Sequence, residues 1–140
     1  QAMTKSRHFG EAIFTERQIQ LAMLDMTYHT MEPGTDTTKV LRELSEEYSP
    51  FQFIEGTTMQ AGFGHLMGYD AGYYGYQWAL SIAKDLLTRF HAEGLMNRKT
   101  ATEYRERILA AGARSTETDM VESFLGRPSN EQAYLKFLGV

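Results

Sequence analysis

Gly64, Gly68 and Gly72 recur every fourth residue within 63–76, a stretch that also holds His65, Tyr69, Tyr73, Tyr74 and Tyr76. Each glycine costs about 1 kcal/mol inside a helix, so the stretch predicts a mobile loop over 64–71 and a helix that starts only after it. If the chain is helical here, Tyr69, Tyr73 and Tyr76 fall at i, i+4 and i+7 on one face while Tyr74 points elsewhere. Phenols stay protonated at neutral pH and donate hydrogen bonds, so a group of them suits an oxygen that gains charge during a reaction. A nucleophile is missing from the stretch. A loop with His65 and Tyr69, followed by a rigid helix with Tyr73 and Tyr76, has the form of a closing substrate clamp. A buried Gly/Tyr crossing of two close-packed helices fits the composition equally well.

The chain has 140 residues. That predicts about one domain, able to bury roughly two thirds of its unfolded surface. A net charge of −4 with acids and bases interspersed provides no basic patch, which argues against nucleic acid and anionic membrane as partners. No apolar run approaches the roughly 18 residues of a membrane span, and no signal-peptide pattern opens the chain. The absence of cysteine excludes a disulfide framework, a thiol nucleophile and a thiolate metal site. The expected compartment is the cytoplasm.

Helical signals fill the remainder. Thr15-Glu16-Arg17-Gln18 reads as a capping box, with Ile19, Ala22, Met23 and Met26 on the apolar face of a helix that ends before Pro33-Gly34. A second helix begins near Asp36 and carries Val40, Leu41, Leu44 and Tyr48 until Ser49-Pro50 stops it. Residues 51–54 stay unassigned. From Gly72 a long helix is expected, with Tyr73, Tyr76, Leu80, Ala83, Leu87 and Phe90 at helical spacing and Gly94 as its stop. Asn97 caps another, with Ala101, Tyr104, Ile108 and Leu109 on its face and Gly112 at its end. Thr116 precedes Met120, Val121 and Phe124, and Gly126-Arg127-Pro128 breaks that helix. A capping box over Ser129–Gln132 opens a last one with Tyr134, Leu135 and Leu138. The expected fold is all-α, one helical segment over 1–140. Phe9, Phe14, Phe51, Phe53, Phe63 and Trp78 lie outside a clear core face, which predicts a surface that packs against something more, including a second copy of the chain.

Catalytic constellations are sparse. None of His8, His29, His65 and His91 has a histidine four residues away, so the two-histidine helical zinc motif is absent. His29 with Glu32 and His91 with Glu93 read as exposed helix residues rather than ligands. Trp78, Leu80, Leu86, Leu87 and Phe90 read as core or interface. Arg17 and Arg105 read as salt-bridge or helix-end residues, Arg7 beside His8 has more claim to be a substrate anchor, and Asp70 reads as a cation partner or helix cap.

Ser6-Arg7-His8, residues 14–18, the whole of 63–78, Tyr104-Arg105 with Ile108-Leu109, and Phe124-Leu125-Gly126-Arg127-Pro128 through Phe137-Leu138-Gly139 together resemble the C-terminal end of the thimet oligopeptidase family. That family includes neurolysin, oligopeptidase A, bacterial dipeptidyl carboxypeptidase and mitochondrial intermediate peptidase. The resemblance covers nearly all of the chain. It implies the C-terminal segment of a mostly helical, zincin-type oligopeptidase that cuts short peptides in a deep channel, as an endopeptidase or a peptidyl-dipeptidase. The family's zinc helix and its downstream glutamate lie upstream of the matched region. The resemblance therefore implies zinc in the complete enzyme, none bound by this chain, and a zinc-bearing N-terminal remainder as its partner. Carried over by position, it makes Tyr69 and Tyr76 oxyanion donors, His65 a donor to the substrate backbone or the oxyanion, Tyr73 a subsite contact and Gly68 part of a hinge. Between His65 and Tyr69 stands Leu66-Met67-Gly68, one residue shorter than is common in cytosolic members and closer to the mitochondrial intermediate peptidase branch, which implies a different placement of His65. A second function class stays open: a stand-alone, non-catalytic helical module that binds peptides.

Overall fold

The computed structural model describes residue 6 and residues 9–140. Arg7 and His8 lie outside the described residues. Regular structure among those described is all helical: α1 (Glu11–Thr30), α2 (Thr37–Tyr48), α3 (Gly75–Glu93), α4 (Arg98–Tyr104), α5 (Glu117–Leu125) and α6 (Gln132–Leu138), with 3₁₀ turns at Met59–Gly62 and Gly64–Leu66 and a π turn at Arg105–Leu109. The chain divides into two compact units, Gln1–Gln77 and Trp78–Val140.

In the first unit α1 packs on α2 around Leu21, Leu24 and Leu41, all buried. Polar groups tie the same contact. Gln20 Nε2 donates to Ser45 Oγ at 2.7 Å, and Ser45 Oγ donates to the Leu41 carbonyl at 2.7 Å. Tyr28 Oη donates to the Thr37 carbonyl at 2.7 Å; burial and then the charge of Asp36 push this phenol up to about 12. Asp36 caps α2 through Thr38 and Lys39, as its residue type predicts.

The start of α1 differs from expectation. It begins at Glu11 behind Gly10, and the predicted capping-box residue Thr15 is buried inside it. A Thr and a Gln three positions apart satisfy the box pattern anywhere on a helix, so that signal does not fix an end. The predicted apolar face differs too. Ile19, Met23 and Met26 keep 38–39% of their surface exposed, while Gln20, Leu21, Leu24 and Asp25 are buried.

The second unit repeats this pattern. Its core joins Leu86, Val121 and Phe124 to Ile82, Phe90, Tyr104, Ile108 and Leu125; the Phe90, Tyr104 and Phe124 rings meet at centroid distances of 5.5–5.8 Å. Ala83, Leu87 and Trp78 face outward, and the buried side of α3 carries Asp85 and Leu86. Arg89 links α3 to α4 and α5 by donating to Glu103 Oε2 at 2.8 Å and the Phe124 carbonyl at 2.5 Å. Asn97 and Thr116 cap α4 and α5 as the sequence predicts. Ser129 does not open a capping box for α6. Its hydroxyl donates to Asp85 Oδ2 at 3.0 Å.

Asp85 is 1% exposed and gathers the chain that follows α5. Arg127 donates to both of its oxygens, at 2.5 and 3.0 Å, and the Asn130 amide donates at 3.0 Å. Burial alone would raise this carboxyl; the hydrogen bonds from Arg127, Asn130 and Ser129, with the Arg127 charge, outweigh it and hold the group below its usual value. A carboxyl lowered on folding stabilises fully above its unfolded value of about 4, and that stabilisation is lost as pH falls through the lowered one. Asp85→Asn should therefore lower stability at pH 7 by about 2–3 kcal/mol, since it leaves the Arg127 charge without its partner. It should also flatten the acid limb of the stability curve. Urea unfolding at pH 7 and pH 3 checks this; equal losses at both pH values would contradict the ion-pair account.

Candidate functional site

Residues 64–74 do not continue a helix; they wind through the Gly64–Leu66 turn and further turns until α3 begins at Gly75. Two backbone positions make this course possible. Gly68 has φ +122°, and Ala71 is left-handed at φ +53°. A Cβ at Gly72 would sit 3.0 Å from the Tyr69 carbonyl, so the glycine spacing serves close turns rather than helix packing.

The turns still gather the rings. The His65 centroid lies 5.0 Å from Tyr73, 5.7 Å from Tyr76 and 5.9 Å from Tyr69, and Tyr73 meets Tyr76 edge-on at 5.1 Å. Phe63 closes the far side at 5.3 Å from Tyr73. Among the described residues Tyr74 makes no ring contact with this group and is 52% exposed. The site residues expected from sequence, His65, Tyr69, Tyr73 and Tyr76, are thus together, by a tight irregular turn instead of a shared helical face.

The hydroxyls differ in what they can do. Tyr76 Oη lies 3.0 Å from His65 Nε2, and the histidine tautomer decides which of the two donates. Tyr73 Oη donates to Gln18 Oε1 on α1 at 3.0 Å. Burial and then the neighbouring Tyr76 raise the Tyr73 pKa, against Arg17 and the Gln18 hydrogen bond, so this phenol stays neutral at pH 7. Tyr69 is 74% exposed, and its hydroxyl makes no hydrogen bond among the described residues. The group therefore gathers phenol hydroxyls around a histidine ring, an arrangement that suits an oxygen ligand carrying negative charge.

A residue that the sequence reading overlooked holds this turn. Asp25 of α1, 1% exposed, accepts the Ala71 amide on Oδ1 at 3.1 Å and the Tyr73 amide on Oδ2 at 2.9 Å. His29 flanks it, with Nδ1 2.8 Å from the Asp25 carbonyl and 3.1 Å from Asp25 Oδ1, and Nε2 3.6 Å from Asp70 Oδ1. Asp70 thus lies within ion-pair reach of His29, a pairing that is charged only when the imidazole is protonated, and also accepts the Gly68 amide at 3.0 Å. The signal for Asp25 was present in the sequence: a poor helix former between Leu24 and Met26, one turn after Leu21 and one turn before His29.

No group of three or more His, Asp or Glu among the described residues is arranged to hold a metal ion. His29 turns away from Glu32 toward Asp25 and Asp70, and Glu93 pairs with Arg89 and Thr100 rather than with His91.

The family model described as peptidase family M3 matches residues 1–140. A thimet-like oligopeptidase of Dictyostelium discoideum is 33% identical over 141 residues, covering 99% of this chain and 21% of that protein. Saccharolysin of Saccharomyces cerevisiae is 34% identical over 146 residues, covering 99% and 20%. A mitochondrial intermediate peptidase of Schizophyllum commune is 34% identical over 120 residues, covering 84% and 16%. The chain spans about a fifth of the length of the curated relatives it matches.

The hydrogen bond from His29 to the Asp25 carbonyl raises the imidazole above its ordinary 6.5, burial opposes this, and the charges of Asp25 and Asp70 with the Leu66 carbonyl add to it. A group raised on folding stabilises fully below its unfolded value, and the contribution fades as pH rises through the raised one. NMR titration should place His29 above 6.5, and Asp70→Asn should move it down. A His29 value that ignores Asp70→Asn would show that the bridge to Asp70 does not form in solution.

Proposed function

The chain belongs to peptidase family M3, and from that premise we propose that it is the C-terminal part of a zinc-dependent oligopeptidase that hydrolyses short peptides. What carries the proposal is the ring group: Tyr69, Tyr73 and Tyr76 surround His65, with Tyr76 Oη 3.0 Å from its Nε2. When water adds to the scissile carbonyl, its oxygen gains charge. Tyr69 and Tyr76 donate to that oxygen, and His65 donates to it or to the substrate backbone. Tyr73, whose hydroxyl is engaged by Gln18, contributes its ring to a substrate subsite, and Gly68 allows the turn that presents them.

The described residues do not fit a zinc ion. Both nitrogens of His29 face carboxylates within a hydrogen-bonded turn, and no other group of potential ligands comes together among those residues. Zinc in the complete enzyme is held elsewhere, and the zinc-bearing remainder is the partner of this segment. Exposed Phe14, Ile19, Met23 and Met26 on α1 support the existence of such a partner, because a run of apolar groups along a helix favours a covering surface. In the isolated chain a second copy can take that place. We propose the cytoplasm as the compartment.

Two outcomes test the assignment. Alone, the chain should neither bind zinc with submicromolar affinity nor hydrolyse a quenched fluorescent peptide with zinc added, because it contributes donors without the metal-activated water. Calorimetry and fluorescence check this, and chelator-sensitive turnover by the pure chain would sink it. In a complete enzyme carrying this segment, Tyr76→Phe should lower kcat on the order of 100- to 1,000-fold, as loss of one oxyanion donor does. KM and the melting temperature should change little. Tyr74→Phe, off the ring group, should cost less than about threefold. Equal mild effects of the two variants would refute the clamp.

A further inference from the structure

We propose that Asp25 is the positioning residue of the tyrosine group: its buried carboxylate holds the left-handed turn at Ala71 and thereby sets where Tyr69, Tyr73 and Tyr76 stand around His65. Three observations converge on this. The two carboxylate oxygens accept different amides, Ala71 on Oδ1 and Tyr73 on Oδ2, from a segment 46 and 48 residues further along the chain. Ala71, between Asp70 and the close turn at Gly72, has φ +53°. An L residue rarely adopts that conformation unless its surroundings hold it there. Amides that converge around such a residue form a concave anion site, and here the anion is a side chain of α1.

The same helix fixes the turn at two further points. Gln18 accepts the Tyr73 hydroxyl, and His29 reaches Asp70, whose carboxylate accepts the Gly68 amide. Gln18, Asp25 and His29 lie at near-heptad spacing on one side of α1. Tyr73 is held at both its backbone and its hydroxyl, and the Tyr76 ring lies against it at 5.1 Å. An error in the turn is therefore transmitted to the whole group. Asp25 meets no substrate in this account and acts through the tyrosines.

The proposal refines the clamp assignment, and its test separates the two. In the 140-residue chain, hydrogen exchange should show the Ala71 and Tyr73 amides protected about tenfold or more above free-peptide rates although neither lies in a helix. Asp25→Asn should abolish that protection while the amides of α2 keep theirs. Free-peptide exchange at Ala71 and Tyr73 in the wild-type chain would overturn the proposal even if the variant did not fold. So would equal loss of protection across the whole first unit in the variant, which would mark Asp25 as a general stability residue. In a complete enzyme carrying the segment, Asp25→Asn should lower kcat about tenfold or more with KM within about threefold. Unchanged kcat there, in a background where Tyr76→Phe is severe, refutes the positioning role and leaves the clamp standing. If Tyr76→Phe is mild as well, the clamp fails, and the exchange data still judge the anchor.

Discussion

Two buried carboxylates, Asp25 on α1 and Asp85 on α3, each 1% exposed, carry the long-range order of their units. Asp25 bonds to amides at 71 and 73, and Asp85 bonds to Arg127, Ser129 and Asn130. Both reach more than forty residues along the chain and hold segments with little regular structure of their own. A buried carboxylate without partners would be strongly unfavourable, whereas one with a full set of donors is satisfied only when the distant segment adopts one course. Apolar contacts alone fix position loosely. The donors fix which backbone amides face inward, so these acids specify conformation more than they add to burial.

That arrangement explains what was and was not legible in the sequence. The all-α class, the caps at Asp36, Asn97 and Thr116, and the stops at Gly94 and Gly126 follow from local chemistry, and the helices bear them out. The buried face of α1 was misjudged and that of α3 in part: Leu86 and Phe90, read as core or interface, do pack in the core of the second unit, whereas Ala83 and Leu87 face outward. Hydrophobic periodicity selects the stripe of Ile19, Met23 and Met26, or of Ala83 and Leu87, and counts an aspartate as surface. In both helices the inner face is the one that carries the aspartate. A mid-helix acid beside buried leucines is the sequence signal, and it becomes interpretable only once a distant partner for it is known.

The clustering of the candidate site's rings was legible in the sequence, and the geometry that produces it was not. Helical spacing put Tyr69, Tyr73 and Tyr76 on one face and set Tyr74 apart, and the rings do gather without Tyr74. Residues 64–71 form no α-helix, as expected, but the helix expected from Gly72 starts only at Gly75, so of the three only Tyr76 lies on it. Glycines at 68 and 72 permit close turns that bring the same side chains to His65 by another route. Periodicity and turn chemistry here point to the same residues for different reasons, which is why spacing alone could not choose between them.

For the role proposed for these tyrosines, a donor must be in place before charge develops, because reorganising it afterwards costs part of what it would contribute. Donors on a glycine-rich turn would ordinarily be poorly placed, since glycine adds backbone freedom. In this unit that freedom is removed from outside the turn. The Asp25 carboxylate holds its backbone, Gln18 holds the Tyr73 hydroxyl, and edge-on ring contacts pass the restraint to Tyr76. The glycines give the turn a course that other residues could not follow, and a single helix face supplies the rigidity that they withhold. Tyr69 shares the restraint through the backbone of the turn, its carbonyl accepting the Gly72 amide at 2.9 Å, while its side chain stays 74% exposed with the ring 5.9 Å from His65.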